Sequence, residues 1–401
     1  MDEMNQPTDQ RNSPQQKKPW KALFSFCAFH FLDDGFTDSI YLLLPFIAME
    51  LGLSFSEVGL LKGVFYGAMG LFQFPLTILG EGMGEWIVLT FGMFGLAGGF
   101  LLMSVTYQYW TILLSLVFAK ATGGGQHGLS SSILSRVFEQ SGRRAAMGTY
   151  NFSGDLGKVC IPFLLTFLIR SWGWRRAVFV LSLLGMAAVG SLYLLSRRER
   201  MVFSPTVSPS PSSYGSRWGI RNRKSFGALL AIGIIDISTR TALLTFLPFL
   251  LIKKGISPLQ TGFALTLVFL GGAMGKFLCG LLAEWLGILA MVVSTEVMTT
   301  MGIFSLTYFP PSVIWVLLLF VGVVLNGTSS VLYATVAELS SPESRARGYG
   351  LYYAITLGAG ALSPMMFGLL TDMTDLFWSM TLTALLPLLT LPLSRHLVPK
   401  D

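Results

Sequence analysis

His30, Asp33, Asp34 and Asp38 lie within a few residues of one another in an otherwise apolar stretch. At helical spacing His30, Asp34 and Asp38 share one face, a turn apart, with Thr37 and Tyr41 beside them. Three carboxylates this close cannot all stay ionised cheaply in a medium of low dielectric. Such a group is suited to taking up and releasing a proton, and His30 could share or relay it. Three uses stay open: proton coupling through Asp34 or Asp33, fixed structural pairing, and direct contact with a substrate.

Other charges recur in apolar surroundings. Asp236 and Arg240 are spaced i,i+4. They predict either a closed ion pair or an arginine that receives an anionic substrate and releases Asp236. Asp155 and Lys158, spaced i,i+3 between glycines, predict an ion pair within one helix. Lys120 and His127 lie two turns apart, and a contact between Lys120 and Asp34 is expected. Lys62 and Lys276 are expected to snorkel or to play supporting roles. Glu296 is expected to pack against a neighbouring helix.

No nucleophile elbow, metal cluster or nucleotide loop is found, so no enzyme, cofactor or metal is expected. Gly123-Gly124-Gly125 is not a phosphate loop, since no Lys-Ser/Thr follows it. Cys27, Cys160 and Cys279 sit in apolar runs and suggest neither a disulfide framework nor a zinc site.

The elements that must hold these charges are read from composition. Of 401 residues, 52% are hydrophobic and 12% charged, with a mean hydropathy of +0.62. Globular proteins average about a quarter charged residues, and a disordered chain is excluded by the same figures. The expected class is an all-α membrane protein. Twelve transmembrane helices of about 20 apolar residues are predicted: 22–47, 57–79, 87–106, 110–133, 146–169, 176–196, 226–251, 260–282, 287–308, 313–335, 348–370 and 376–395. The first apolar segment has no cleavage-type flank and is expected to be a retained span.

Residues 1–21 and 396–401 read as polar tails. Residues 22–196 and 226–395 read as two pseudo-symmetric six-helix bundles. The Pro/Ser-rich segment 197–225, flanked by arginines, reads as a flexible linker between them. The halves repeat at a constant offset of 203 residues: Pro45-Phe46, Gly52, Ser54 and Gly59 recur as Pro248-Phe249, Gly255, Ser257 and Gly262. Asp33, Glu81 and Gly84 recur as Asp236, Glu284 and Gly287. Parallel repeats about a membrane-normal axis are a transporter architecture.

The formal net charge of +7 looks like a nucleic-acid signature until the charges are located. With both termini in the cytoplasm, eighteen of the 28 Lys and Arg fall in cytoplasmic segments, five in outer loops and five in spans. That bias is the positive-inside rule, so a lipid bilayer rather than nucleic acid is the expected partner.

The stretch Gly280-Leu281-Leu282-Ala283-Glu284-Trp285-Leu286-Gly287 resembles the signature loop of the major facilitator superfamily, G-x-L-A-D-x-x-G followed by two basic residues. Here Glu284 replaces the Asp, and Ile288-Leu289 replace the basic pair. The first-half copy is Gly80-Glu81-Gly82-Met83-Gly84. Trp172-Gly173-Trp174-Arg175-Arg176 is similar to that family's entry to helix 6. Gly154, Gly157 and Pro162 faintly resemble its antiporter motif.

His30-Phe31-Leu32-Asp33-Asp34 and Gly125-Gln126-His127-Gly128-Leu129-Ser130-Ser131 resemble the fosmidomycin-resistance-type efflux branch, whose forms are H-x-x-N-D and G-x-x-x-F-H-P-E-S-S. The resemblance implies a monomeric secondary transporter working by alternating access, exporting a small organic compound against protons across a bacterial-type inner membrane. It also implies that the Gly80/Glu81/Gly84 and Gly280/Glu284/Gly287 loops act in gating. Uptake of a small metabolite or anion with protons is the alternative, and a non-transporting scaffold or sensor is a second one.

Overall fold

The computed structural model describes residues 19–138, 142–196, 220–341 and 345–397. The tails and most of the expected linker therefore lie outside the described residues. Thirteen α-helices follow in order: α1 (Pro19–Leu51), α2 (Phe55–Met83), α3 (Glu85–Val105), α4 (Tyr109–Gly123), α5 (Gln126–Val137), α6 (Arg143–Ser196), α7 (Arg223–Lys253), α8 (Pro258–Leu286), α9 (Ile288–Tyr308), α10 (Pro311–Glu338), α11 (Arg345–Met373), α12 (Leu376–Leu385) and α13 (Leu391–Ser394). Among the described residues the one extended pairing is an isolated bridge between Ile220 and Ser340.

Nine helical stretches of the described residues are long and apolar enough to cross a membrane by length and composition. The difference from twelve has local causes. The 54-residue α6 carries two of the predicted spans across a kink at Gly173, whose φ of 76° breaks the helix. α1 is 33 residues long but holds Asp33, Asp34 and Asp38 in its middle. The predicted span 110–133 is interrupted at Gly124–Gly125, which divides it into α4 and α5. The last span is counted among the nine, although it loses regular α-geometry over Leu386–Thr390, where Pro387 removes a backbone donor.

The sequence repeat has a structural counterpart. Ser54 caps α2 and Ser257 caps α8, each in a reciprocal capping box, with Glu57 and Gln260 respectively. Gly52 and Gly255 both take positive φ (65° and 89°), as do Gly84 and Gly287 (98° and 81°). Both pairs are 203 residues apart, and both require a backbone shape that side chains disfavour.

Within the first six helices α1 packs along α6, and α3 packs on α4 and α6. Among the later helices α10 packs on α8 and α9, and α7 on α11. Pairings that cross between the groups include α2 with α11, α6 with α8, and α1 with both α7 and α8. Glycines bring these surfaces close. A Cβ on Gly59 or Gly63 would strike the α11 backbone at Pro364 or Ala361, and one on Gly157 would strike the Phe31 carbonyl of α1. The outward surface carries apolar side chains such as Leu71, Phe74, Phe91 and Phe277. This is the inside-out pattern expected of a protein solvated by lipid.

Candidate functional site

The i,i+4 spacing on α1 does bring His30 and Asp34 together, with His30 Nε2 3.3 Å from Asp34 Oδ2. His30 Nδ1 lies 2.8 Å from the Tyr150 carbonyl, and its ring stacks on Tyr150 at 4.1 Å between centroids. A carbonyl only accepts, so Nδ1 carries a hydrogen. In a neutral ring Nε2 would then be a bare acceptor facing a carboxylate oxygen. A proton bound between these two atoms satisfies both, so the pair is built to take one up.

Asp33 and Asp34 point to different neighbours because adjacent helical positions are about 100° apart. Asp33 faces α4 and α5: Lys120 Nζ donates to its Oδ1 at 2.9 Å, and His127 Nε2 lies 3.6 Å from its Oδ2. The expected Lys120–Asp34 contact is thus made by Asp33 instead. Asp34 faces α6, where Lys158 Nζ is 3.1 Å from its Oδ2, while His127 reaches its Oδ1 at 3.6 Å. His127 therefore bridges the two carboxylates.

The expected pair within α6 is present but is the weaker option for both partners. Lys158 is 3.7 Å from Asp155 and closer to Asp34. Asp155 accepts at 2.5 Å from Lys276 of α8. A chain of ions thus runs from α1 through α6 to α8, and Lys276 does not snorkel.

On α7 the i,i+4 pair forms: Arg240 Nη2 donates to Asp236 Oδ2 at 3.1 Å. Asn326 and Ser329 of α10 approach the two members at 3.4 Å. Asp38 is half-buried and has no ion pair among the described residues. Glu296 is buried on α9 with one oxygen lacking a hydrogen-bond partner.

Lys62 departs from the expected snorkelling. It is wholly buried, its Nζ has no hydrogen-bond partner, and it sits 3.8 Å over the Tyr41 ring. Snorkelling is excluded. The readable signal was its place three residues after Gly59, on the side of α2 that meets protein.

His30, Asp34 and His127 offer donor atoms within 4.8 Å of one another. Lys120 and Lys158 already neutralise the adjacent carboxylates, so the donor set does not call for a metal ion. At the signature loops, Gly84 N–H donates to Gly80 and Gly287 N–H to Ala283. Glu284 is exposed, and the Glu81 side chain lies outside the described residues. An ion pair near the first loop joins its buried neighbour Glu85 to the exposed Arg136 of α5.

One cross-group contact stands at the opposite ends of the helices. Asp372 of α11 accepts from Phe55 N–H (2.9 Å), Ser56 N–H (2.7 Å) and the Ser56 hydroxyl (2.5 Å). It serves as an added cap on the N-terminus of α2, where unsatisfied donors and the helix dipole favour a carboxylate.

The sequence profile described as "Major Facilitator Superfamily" matches residues 24–364 and 229–401. The chain is 25% identical over 274 residues to the Escherichia coli K12 protein named "Probable L-galactonate transporter", spanning 64% of this chain and 60% of that one. It is 22% identical over 393 residues to the Fosmidomycin resistance protein of the same organism, spanning 92% and 91%. Among solved structures, a bacterial homologue of the human lysosomal transporter Spinster, inward-facing and occupied, superposes with a TM-score of 0.78 at 15% identity, covering 94% of this chain and 97% of that one. The nucleoside transporter NupG superposes at 0.77 and 12%, covering 94% and 100%.

Proposed function

The chain belongs to the Major Facilitator Superfamily and is a membrane transporter, not an enzyme, and we propose that it couples movement of a small organic compound to protons carried on α1. The observation that carries this reading is the approach of His30 Nε2 to Asp34 Oδ2 at 3.3 Å while Nδ1 faces the Tyr150 carbonyl, an arrangement that suits a proton-binding pair on α1. Lys158 and His127 already contact the same carboxylate, so the proton, a histidine and an ammonium compete for one group. Deprotonating the pair would strengthen its hold on Lys158. That in turn would loosen Lys158 from Asp155 and leave Asp155 to Lys276 of α8. Proton occupancy is thereby tied to a contact between the two groups of helices that alternating access must move.

We place both termini in the cytoplasm on the charge bias, with residues 22–196 and 226–395 as the moving bundles. The Asp372 contact with α2 then lies at the outer face and holds it closed. An inward proton gradient can drive export by exchange, which the full-length likeness to the Fosmidomycin resistance protein supports. It can also drive uptake with the proton, which the likeness to the L-galactonate transporter supports.

The test is reconstitution, with a substrate taken from a thermal-stabilisation panel of drugs and metabolites. Asp34→Asn should abolish accumulation driven by a pH gradient and keep expression and folding intact. Normal pH-dependent flux in that variant sinks the proposal, and right-side-out against inverted vesicles gives the direction.

A further inference from the structure

We infer that the transported compound is an organic anion whose carboxylate is received by Lys62 of α2, displacing Asp38 of α1 as the internal counter-charge. This rests on the transporter reading above. The interior holds five cations, and four are paired: Lys120 with Asp33, Lys158 with Asp34, Lys276 with Asp155, and Arg240 with Asp236. Lys62 is the exception among the described residues. It is 0% exposed, and its ammonium has no acceptor.

Tyr41 lies under that ammonium at 3.8 Å, and the Phe65 and Tyr66 rings at 5.5 Å. Cation–π attraction offsets part of the desolvation but leaves three N–H donors unused. A core lysine kept only for packing is replaceable by an apolar residue without that cost. A lysine held dry and without an acceptor gains its missing partner when an anion arrives.

The position suits a transported molecule. Lys62 and Tyr66 are i,i+4 on one face of α2. Tyr66 meets α11 at Gly360, which also faces Ile237 of α7. Lys62 therefore lies beside the boundary between the two groups of helices.

Asp38 lies one turn before Tyr41 on α1, whose ring underlies the Lys62 ammonium, and makes no ion pair with it among the described residues. Around Asp38 stand Lys62 of α2, Lys120 of α4, Lys158 of α6 and Asp34 of its own helix, with Tyr41 and Tyr66 alongside. Lys120 and Lys158 are committed to Asp33 and Asp34, so Lys62 is the cation left for Asp38. An anion on Lys62 takes that counter-charge away. Asp38 is then a buried carboxylate without a partner, and it takes up a proton. Anion and proton bind together and move in the same direction, which selects uptake with the proton over exchange.

The experiment uses the purified full-length chain. Its unfolding midpoint is followed with gluconate, benzoate and malonate, each against a neutral counterpart (glucose, benzamide, malonamide), from pH 8 to pH 6. At least one carboxylate should stabilise the chain while its counterpart does not. Its affinity should rise as pH falls, by up to tenfold per pH unit, the limit for one proton bound per anion. Lys62→Met should lose the stabilisation, Lys62→Arg should retain it, and Asp38→Asn should bind with a flattened pH profile. Lys62→Arg guards against misfolding of the apolar variant.

The inference is overturned by equal stabilisation from neutral counterparts, by none from any carboxylate, by pH-independent affinity, or by wild-type binding in Lys62→Met. Carboxylate binding without flux in liposomes overturns the transporter reading alone.

Discussion

Asp33 and Asp34 are neighbours in sequence, but their surroundings assign them different work, and a stability measurement separates them. The Asp33 and Lys120 side chains are each 1% exposed and joined at 2.9 Å. Removing one member of such a pair leaves an uncompensated buried charge and costs about 3–5 kcal/mol. Asp33→Asn keeps an acceptor oxygen for Lys120 but not the negative charge, so its cost should fall near the lower end, about 3 kcal/mol. Lys120→Met strands Asp33 in the same way. The double variant removes both charges together, and neutral replacement of a buried pair costs little. It should therefore recover most of the loss, giving a coupling of at least about 2 kcal/mol.

The assay is reversible unfolding in mixed micelles, repeated on the two single variants and the double. Flux in liposomes is measured beside it. The double variant should keep its response to a pH gradient, because the proton-binding pair is His30–Asp34. A double variant as unstable as the singles, or a stable one that has lost proton-driven flux, refutes the division of roles.

Asp372→Ala should remove the added cap on α2, worth about 0.5–2 kcal/mol, plus about 0.3–1 kcal/mol of dipole interaction. Spin labels at Leu53 and Thr374 should then report a larger outer-face separation in a greater share of molecules, and an unchanged distribution would falsify the latch. Lys276→Met should free Asp155 for Lys158 and weaken the α6–α8 contact. Cross-linking between cysteines placed on those helices should fall, and an unaltered yield argues that the ion pair does not hold them. Gly157→Val should abolish folded protein on size exclusion, because its side chain would occupy the place of the Phe31 carbonyl; a monodisperse variant contradicts the close α1–α6 approach.

Much of the backbone plan was legible because its causes are local. The caps at Ser54 and Ser257, the turn glycines at 52, 84, 255 and 287, and the Asp236–Arg240 pair each depend on residues within one turn of each other. The family followed from motifs of the same local kind. The interruption at Gly124–Gly125 was readable as three consecutive glycines. It was passed over because apolar length alone permits one continuous span.

What stayed hidden was the rotation of each helix about its own axis. A soluble helix declares its inward face by polarity, but a helix between lipid and protein is apolar on both sides, so that contrast is weak. Choosing Asp33 over Asp34 for Lys120 turns on one residue's rotation. Choosing Lys276 over Lys158 for Asp155 turns on what another helix presents. Close-approach glycines carry the rotation that polarity does not. Gly59 and Gly63 lie a turn apart and meet α11. Lys62, three residues after Gly59 and so on the same side of α2, is therefore turned toward protein whatever its depth in the bilayer. Applied to α6, the same reasoning sets Gly154 against His30 and Asp34 of α1 and turns Lys158, one turn further on that face, toward Asp34 rather than along its own helix.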